Sequence, residues 1–178
     1  MTSRIVIPRG LEHAFAGMQN ARAIMSFDPD NPPEGLFVYR SHVPFDHIDM
    51  QGVLHHSRHF LHVEAASHAF FLHVMEVAGF EPERYPDQNG VVRHMSIDYL
   101  RPLYGVRDII VTLRVVRLRA CSMSVAFELR SADGSELFSK GEREVCRVKH
   151  GELRPSMWSE QYRERFSRWL DAANNAAQ

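Results

Sequence analysis

The sequence predicts an α+β domain in which one long helix lies wrapped in a curled antiparallel sheet of about five strands. Three observations predict it. One strand-like run precedes a single long helical stretch and four strand-like runs follow it, an order that segregates helix from sheet instead of alternating them. The apolar residues of the helical stretch, among them Phe60, Leu61, Val63, Phe70, Phe71, Leu72, Val74 and Met75, spread over more than half of the helical circumference, so this helix needs cover on several sides. Asp133-Gly134, between the last two strand-like runs, is a tight-hairpin signal that makes them antiparallel neighbours.

Residues 1–35 read as an N-terminal arm. A short amphipathic piece (Leu11, Phe15, Met18, Ile24) leads into FDPDNPPEG, where Pro29, Pro32 and Pro33 deny a helix its hydrogen bonds and Gly35 ends the stretch. The run 36–43, LFVYRSHV, alternates β-branched and aromatic side chains as a strand does. Pro44 and Gly52 then break the chain, and the long helix is expected to begin between Leu54 and Ser57, to run to about Ala78 and to stop at Gly79. After the loop EPERYPDQNG come VVRHMSIDYL, DIIVTLRVVRL, MSVAFELRS and ELFSKGEREVCRVK, all strand-like. From Pro155 onward, Trp158, Tyr162, Phe166, Trp169 and Leu170 mark a terminal amphipathic helix suited to packing on the body or on a neighbouring subunit. The expected division is therefore an arm (1–35), a domain (36–155) and a helical tail (156–178).

With 178 residues, 44% hydrophobic and 24% charged, the chain has material for a real core. Its 21 basic and 22 acidic side chains nearly cancel, so no global field favours nucleic acid or an anionic membrane, and any acidic partner must be met locally. Cys121 and Cys146 are too few for a disulfide framework and do not form a C-x-x-C pair; two free thiols in a reducing compartment are expected. Nowhere do eighteen apolar residues run together, and MTSRIVIPRG lacks the apolar stretch of a secretory leader, so the expected location is cytoplasmic.

Two features carry possible chemistry. Eight of the eleven histidines lie between His42 and His73, and His55, His59, His62 and His73 share one helical face. A zinc site there is geometrically conceivable. No Asp, Glu or Cys joins that face, however, and it is the least apolar one, so solvated or interface histidines are expected and no metal. The second feature is Asp49, just ahead of Gln51-Gly52 and of the helix start. A carboxylate beside backbone amides without intrahelical partners suits acyl transfer: one group attacks or activates water, the other steadies the oxyanion. An Asp capping a helix or closing an Asx turn would look the same locally, and both readings stay open on these residues alone.

The segment Val43 to Ser67, VPFDHIDMQGVLHHSRHFLHVEAAS, resembles the signature of hotdog-fold acyl-CoA thioesterases of the hydroxybenzoyl-CoA thioesterase and YbgC type, approximately V-x-[FY]-x-D-T-D-x-x-G-[VI]-V-[YF]-H-x-x-[YF]-x-x-[FYW]-x-E. Asp49 matches the second Asp, Gly52 the Gly, Val53 and Leu54 the apolar pair, His56 the His and Glu64 the Glu. VVRHMSIDYLRPLYGVRD is similar to the family's following strand. Departures are His47-Ile48 in place of Asp-Thr, and His55 and His59 where the family has aromatics, which alter the pocket but keep the carboxylate.

The resemblance implies a hotdog fold and hydrolysis of an acyl thioester, on coenzyme A or an acyl-carrier protein, without metal or redox cofactor. It further implies a homodimer or homotetramer with sites at the subunit interface. Asp49 would be nucleophile or general base, and the backbone N–H of His56 would polarise the thioester carbonyl. Glu64 is expected to be a buried structural carboxylate or a second acid or base. Gly52, Val53 and His55 are candidate substrate contacts, and Arg93, with Arg117, Arg119 and Lys140, a candidate for the coenzyme A phosphates. Two rivals belong to other classes: a non-catalytic acyl-thioester binder or sensor, and a hotdog dehydratase, against which the Asp-x-x-Gly-x-x-x-His frame speaks.

Overall fold

The structure, a computed structural model, describes residues 27–149, 151–152 and 154–175. The amphipathic piece expected at Leu11 to Ile24 lies outside them. In chain order the elements are β1 (Phe37–Val43), α1 (His59–Met75), β2 (Gly90–Tyr99), β3 (Arg107–Leu118), β4 (Ser122–Ser131), β5 (Leu137–Arg147) and α2 (Glu160–Asn175). The five strands form one antiparallel sheet in the order β1-β3-β4-β5-β2, leaving β1 and β2 at the edges. Among the described residues no helix is long and apolar enough to cross a membrane.

Period-two alternation sends one set of side chains to the face that carries α1. On it Val43 of β1, Ile109, Val111, Leu113 and Val115 of β3, and Met123, Val125, Phe127 and Leu129 of β4 are buried in one cluster with Val63, Ala66, Phe70, Val74 and Met75 of α1. Each such side chain contributes roughly 1.5–3 kcal/mol on burial, so this face holds most of the driving force for folding. Where β5 crosses Phe127 only glycine fits. A Cβ on Gly141 would lie 2.0 Å from the Ser96 carbonyl oxygen and 2.6 Å from the Phe127 ring.

Helix α1 is shorter than its sequence suggests. A single 3₁₀ turn, His56–Arg58, precedes it, and it ends at Met75 instead of running to about Ala78. Glu76 takes the left-handed capping position (φ 55°), closing on the carbonyls of His73 and Leu72. Arg165 of α2 holds that end: it donates to the Val74 carbonyl and the Glu76 carboxylate, both at 2.9 Å. A long-range partner therefore stops the helix before the local glycine can.

The tail packs on the body of its own chain. Trp158, Tyr162 and Phe166 are buried in the same cluster as the sheet and α1, with the Trp158 and Tyr162 rings stacked at 4.0 Å. Ser159 caps α2, its Oγ accepting the Tyr162 N–H at 3.1 Å, while its own N–H and hydroxyl donate to buried Asp87. Arg147 of β5 lies 2.9 Å from the same carboxylate, off hydrogen-bond geometry but close enough to neutralise it.

Candidate active site

The segment between β1 and α1 folds into a small hairpin. Ile48 pairs with Leu54, the Asp49 N–H donates to the Val53 carbonyl at 2.9 Å, and the His55 N–H donates to the His47 carbonyl at 2.9 Å. Gly52 closes its turn with φ +77°, a conformation that a side chain would strain. The hairpin is docked on the loop before β3: the Leu54 N–H donates to Leu103 at 2.8 Å and the Gly105 N–H to Gly52 at 3.0 Å.

That hairpin fixes Asp49. Its Oδ1 accepts the N–H groups of Gln51 at 2.8 Å and Val53 at 3.2 Å, so the Asx-turn reading is correct as far as this oxygen goes. Oδ2 has no hydrogen-bond partner among the described residues. One oxygen anchors the carboxylate and the other stays available, so the capping and chemical readings are compatible.

The same hairpin ends at the helix start. His55 is extended (φ −57°, ψ 135°), its Nδ1 accepts the Ser57 N–H at 3.4 Å, and its ring lies 4.2 Å from that of His56. His56 opens the 3₁₀ turn, so its N–H has no acceptor within the helix. Its carbonyl accepts the Tyr99 hydroxyl at 3.0 Å, a contact that pins the first turn to the end of β2. The Tyr99 ring meets the His59 ring edge-on at 5.0 Å, and partial burial holds its hydroxyl pKa above the usual value.

The histidine face departs from expectation. His55 is part-buried and His73 exposed, but His59 and His62 are only 3% and 4% exposed. His59 Nδ1 is hydrogen-bonded to Ser139 Oγ of β5 at 3.0 Å, and His62 Nδ1 to Ser41 Oγ of β1 at 2.8 Å, with His47 Nδ1 3.3 Å from its Nε2. Burial, reinforced by neighbouring His62, lowers the His59 pKa to about 4; burial, reinforced by His47 and His42, does the same for His62. Both rings are therefore neutral core groups at neutral pH, satisfied by serines that local sequence does not pair with them. Among the described residues no three His, Cys, Asp or Glu side chains are placed to hold a metal ion.

Glu64 differs from expectation as well. Its side chain is 46% exposed, and both oxygens accept from Arg143 of β5, Oε1 at 2.9 Å from Nε and Oε2 at 3.0 Å from Nη2. It needs no deep burial because the inner face of β5 presents a guanidinium to it. Arg93 lies 3.6 Å from Glu144, on β2 but six residues from Tyr99, and so about 20 Å from the helix start at strand spacing. Arg117 pairs with Glu142 at 3.3 Å, and Arg119 and Lys140 are exposed. Within one chain the site thus gathers Asp49, Gly52, Val53, His55 and His56, with Glu64 two turns along α1 and Arg93 remote.

Residues 51–138 match the thioesterase superfamily. This part of the chain belongs to that superfamily. The match takes in His56, Glu64 and Tyr99 and begins two residues after Asp49. By sequence, no curated protein gives a match. Among solved structures, a Staphylococcus aureus protein in complex with CoA superposes with a TM-score of 0.70 at 16% identity, over 80% of this chain and 88% of its own. The DHNA-CoA thioesterase of the same organism gives 0.67 at 18%, over 80% and 95%. The 1,4-dihydroxy-2-naphthoyl-CoA thioesterase of Synechocystis gives 0.63 at 15%, over 74% and 96%. At such identities the likeness establishes the hotdog fold.

In this thioesterase-superfamily domain the sequence reading missed three residues that touch the site or the helix beside it: Tyr99 on His56, Ser139 on His59 and Arg143 on Glu64. Tyr99 carried a usable signal, since it lies in the SIDYLRP motif that the resemblance covers. Ser139 and Arg143 carried none, because each meets its partner only through the pairing of β5 into the sheet.

Proposed function

We propose that this domain hydrolyses an acyl thioester, carried on coenzyme A or an acyl-carrier protein, to the free acid and thiol, with Asp49 as nucleophile or general base. The observation that carries the reading is the half-engaged Asp49 carboxylate: Oδ1 is fixed by two backbone amides while Oδ2 has no partner among the described residues, in the hairpin that leads to the His56 N–H, which has no acceptor among them either. In this reading Oδ2 attacks the acyl carbon, or takes a proton from the water that does. The electron pair displaced onto the carbonyl oxygen is met by the His56 N–H, which needs no rearrangement to receive it. Collapse then expels the thiolate; on the general-base route the free acid forms directly, and on the nucleophilic route water hydrolyses the Asp49 acyl anhydride left behind. Superfamily membership and the hotdog fold support thioester chemistry; the residue roles rest on the geometry.

The proposal includes a homodimer or homotetramer. Edge strand β2 exposes Val91, Val92 and Tyr99 beside unpaired backbone groups, a surface that edge-to-edge pairing with a second copy would cover. The test is thiol release from a panel of acyl-CoA thioesters by the wild type and by Asp49→Asn. Turnover by the wild type that is lost in the folded variant is the expected result. Absence of release with every thioester would leave a binding protein in place of an enzyme.

A further inference from the structure

Resting on the reaction proposed above, we infer that the substrate's acyl group is a long, uncharged chain that runs along the flank of α1 into the cavity between α1, the sheet and α2. The cavity has a volume of about 340 Å³ and an apolar wall that includes Phe70, Phe71, Leu113, Val125, Trp158 and Phe166. Such a size and lining are those of small-molecule sites. Its near end is the Glu64–Arg143 pair, and its far wall is α2.

Two independent rulers measure the way from the reaction centre to that cavity. Along α1, Glu64 is eight residues beyond His56, about 12 Å at helical rise. Along the β2–β5 ladder, Tyr99 faces Ser139, Ile97 faces Gly141 and Met95 faces Arg143, four residues or about 13 Å at strand spacing. The intervening side chains Phe60, Ile97 and Met95 are part-buried and apolar, so a chain taking this path meets hydrocarbon up to the Glu64–Arg143 pair. An extended chain advances about 1.2 Å per bond, a third of the span of one residue. A chain anchored by its carbonyl at His56 therefore needs about ten carbons to reach the cavity, and a butyryl group stops far short. The cavity then takes on the order of ten more water-sized groups.

Charge selects the chain end. Both carboxylates in the wall are matched by arginines, Glu64 by Arg143 and Asp87 by Arg147. An acyl chain ending in a second carboxylate would bring an unmatched charge into an apolar space, which is costly. The wall therefore favours a simple hydrocarbon end over an ω-carboxylated one.

The test compares kcat/KM for tetradecanoyl-CoA and butyryl-CoA in the wild type, Ser67→Phe and His68→Trp, two wall positions on α1 where a larger side chain narrows the cavity. Binding of free tetradecanoate is followed by calorimetry in parallel. Expected are a wild-type ratio above ten, a fall of at least tenfold in that ratio in the filled variants, and loss of tetradecanoate binding. Should Ser67→Phe not fold, His68→Trp at its exposed position decides. Turnover with the same chain-length ratio in wild type and filled variants would overturn the cavity assignment while leaving the thioesterase reading intact. Absence of turnover together with tetradecanoate binding that the variants lose would overturn the thioesterase reading and support the cavity.

Discussion

The two carboxylates near the start of α1 are held in opposite ways. Asp49 is fixed through one oxygen by the Gln51 and Val53 amides, on a backbone-bonded hairpin, and its second oxygen has no partner among the described residues. Glu64 has both oxygens on Arg143, a charge-assisted bidentate pair between helix and sheet. In the proposed reaction the carboxylate assigned the chemistry is the one positioned by neutral amides, because a guanidinium on both oxygens of Glu64 commits that charge to structure. Position near the helix is thus a weaker guide to chemistry than the partner each oxygen has.

The largest effect that can break this contrast is on turnover. Asp49→Asn should lower kcat by on the order of a hundredfold or more, as loss of a nucleophile or general base does, whereas Glu64→Gln should stay within tenfold. Thiol release by the two folded variants checks both, and the reverse ranking would move the chemistry from the hairpin to the helix. Next comes acid. The His59 and His62 pKa values are lowered from 6.5 to about 4 in the fold, so the unfolded chain binds protons that the native one refuses as pH falls. Stability should be complete above about pH 6.5 and decline by on the order of 3 kcal/mol per histidine towards pH 4. Urea titrations across that range should show the slope, and His62→Gln should flatten it.

Smaller effects sharpen the contrast. Glu64→Gln leaves the largely buried Arg143 guanidinium without a counter-charge, and with Glu64 itself half-exposed the loss should be about 1–2 kcal/mol in chemical denaturation. Tyr99→Phe removes one hydrogen bond from the first turn, worth about 1 kcal/mol, and should lower kcat several-fold with little change in KM. His56→Ala keeps the main-chain N–H and should cost least, measured in the same thiol-release assay.

The strands were legible because alternation is a property of adjacent residues: MSVAFELRS and DIIVTLRVVRL state their faces locally, and their pairing follows from short connections. Asp49 and His56 were legible because eight consecutive residues contain both. The burial of His59 and His62 was not, since a polar side chain goes inside only where a partner waits. Ser139 lies 80 residues from His59, and Ser41 lies 21 from His62. Glu64 shows the same limit, its fate being set by an arginine 79 residues away. The early end of α1 was hidden for a related reason: Arg165 of the terminal helix, not a nearby glycine, holds it.

The terminal helix also gives the molecule an order of assembly. Every strand precedes α2 in the chain, so the sheet can pair and receive α1 while the aromatic faces of Phe70 and Phe71 still look into water. Closure then depends on the Ser159–Asp87–Arg147 knot and on Arg165, all contacts between distant parts of the chain, which form late because their loop entropy must be met first. Until that knot ties, a growing chain carries a sticky aromatic slot; once it ties, α2 walls one side of that slot. Vectorial synthesis thus leaves this protein most vulnerable to self-association just before its last helix docks.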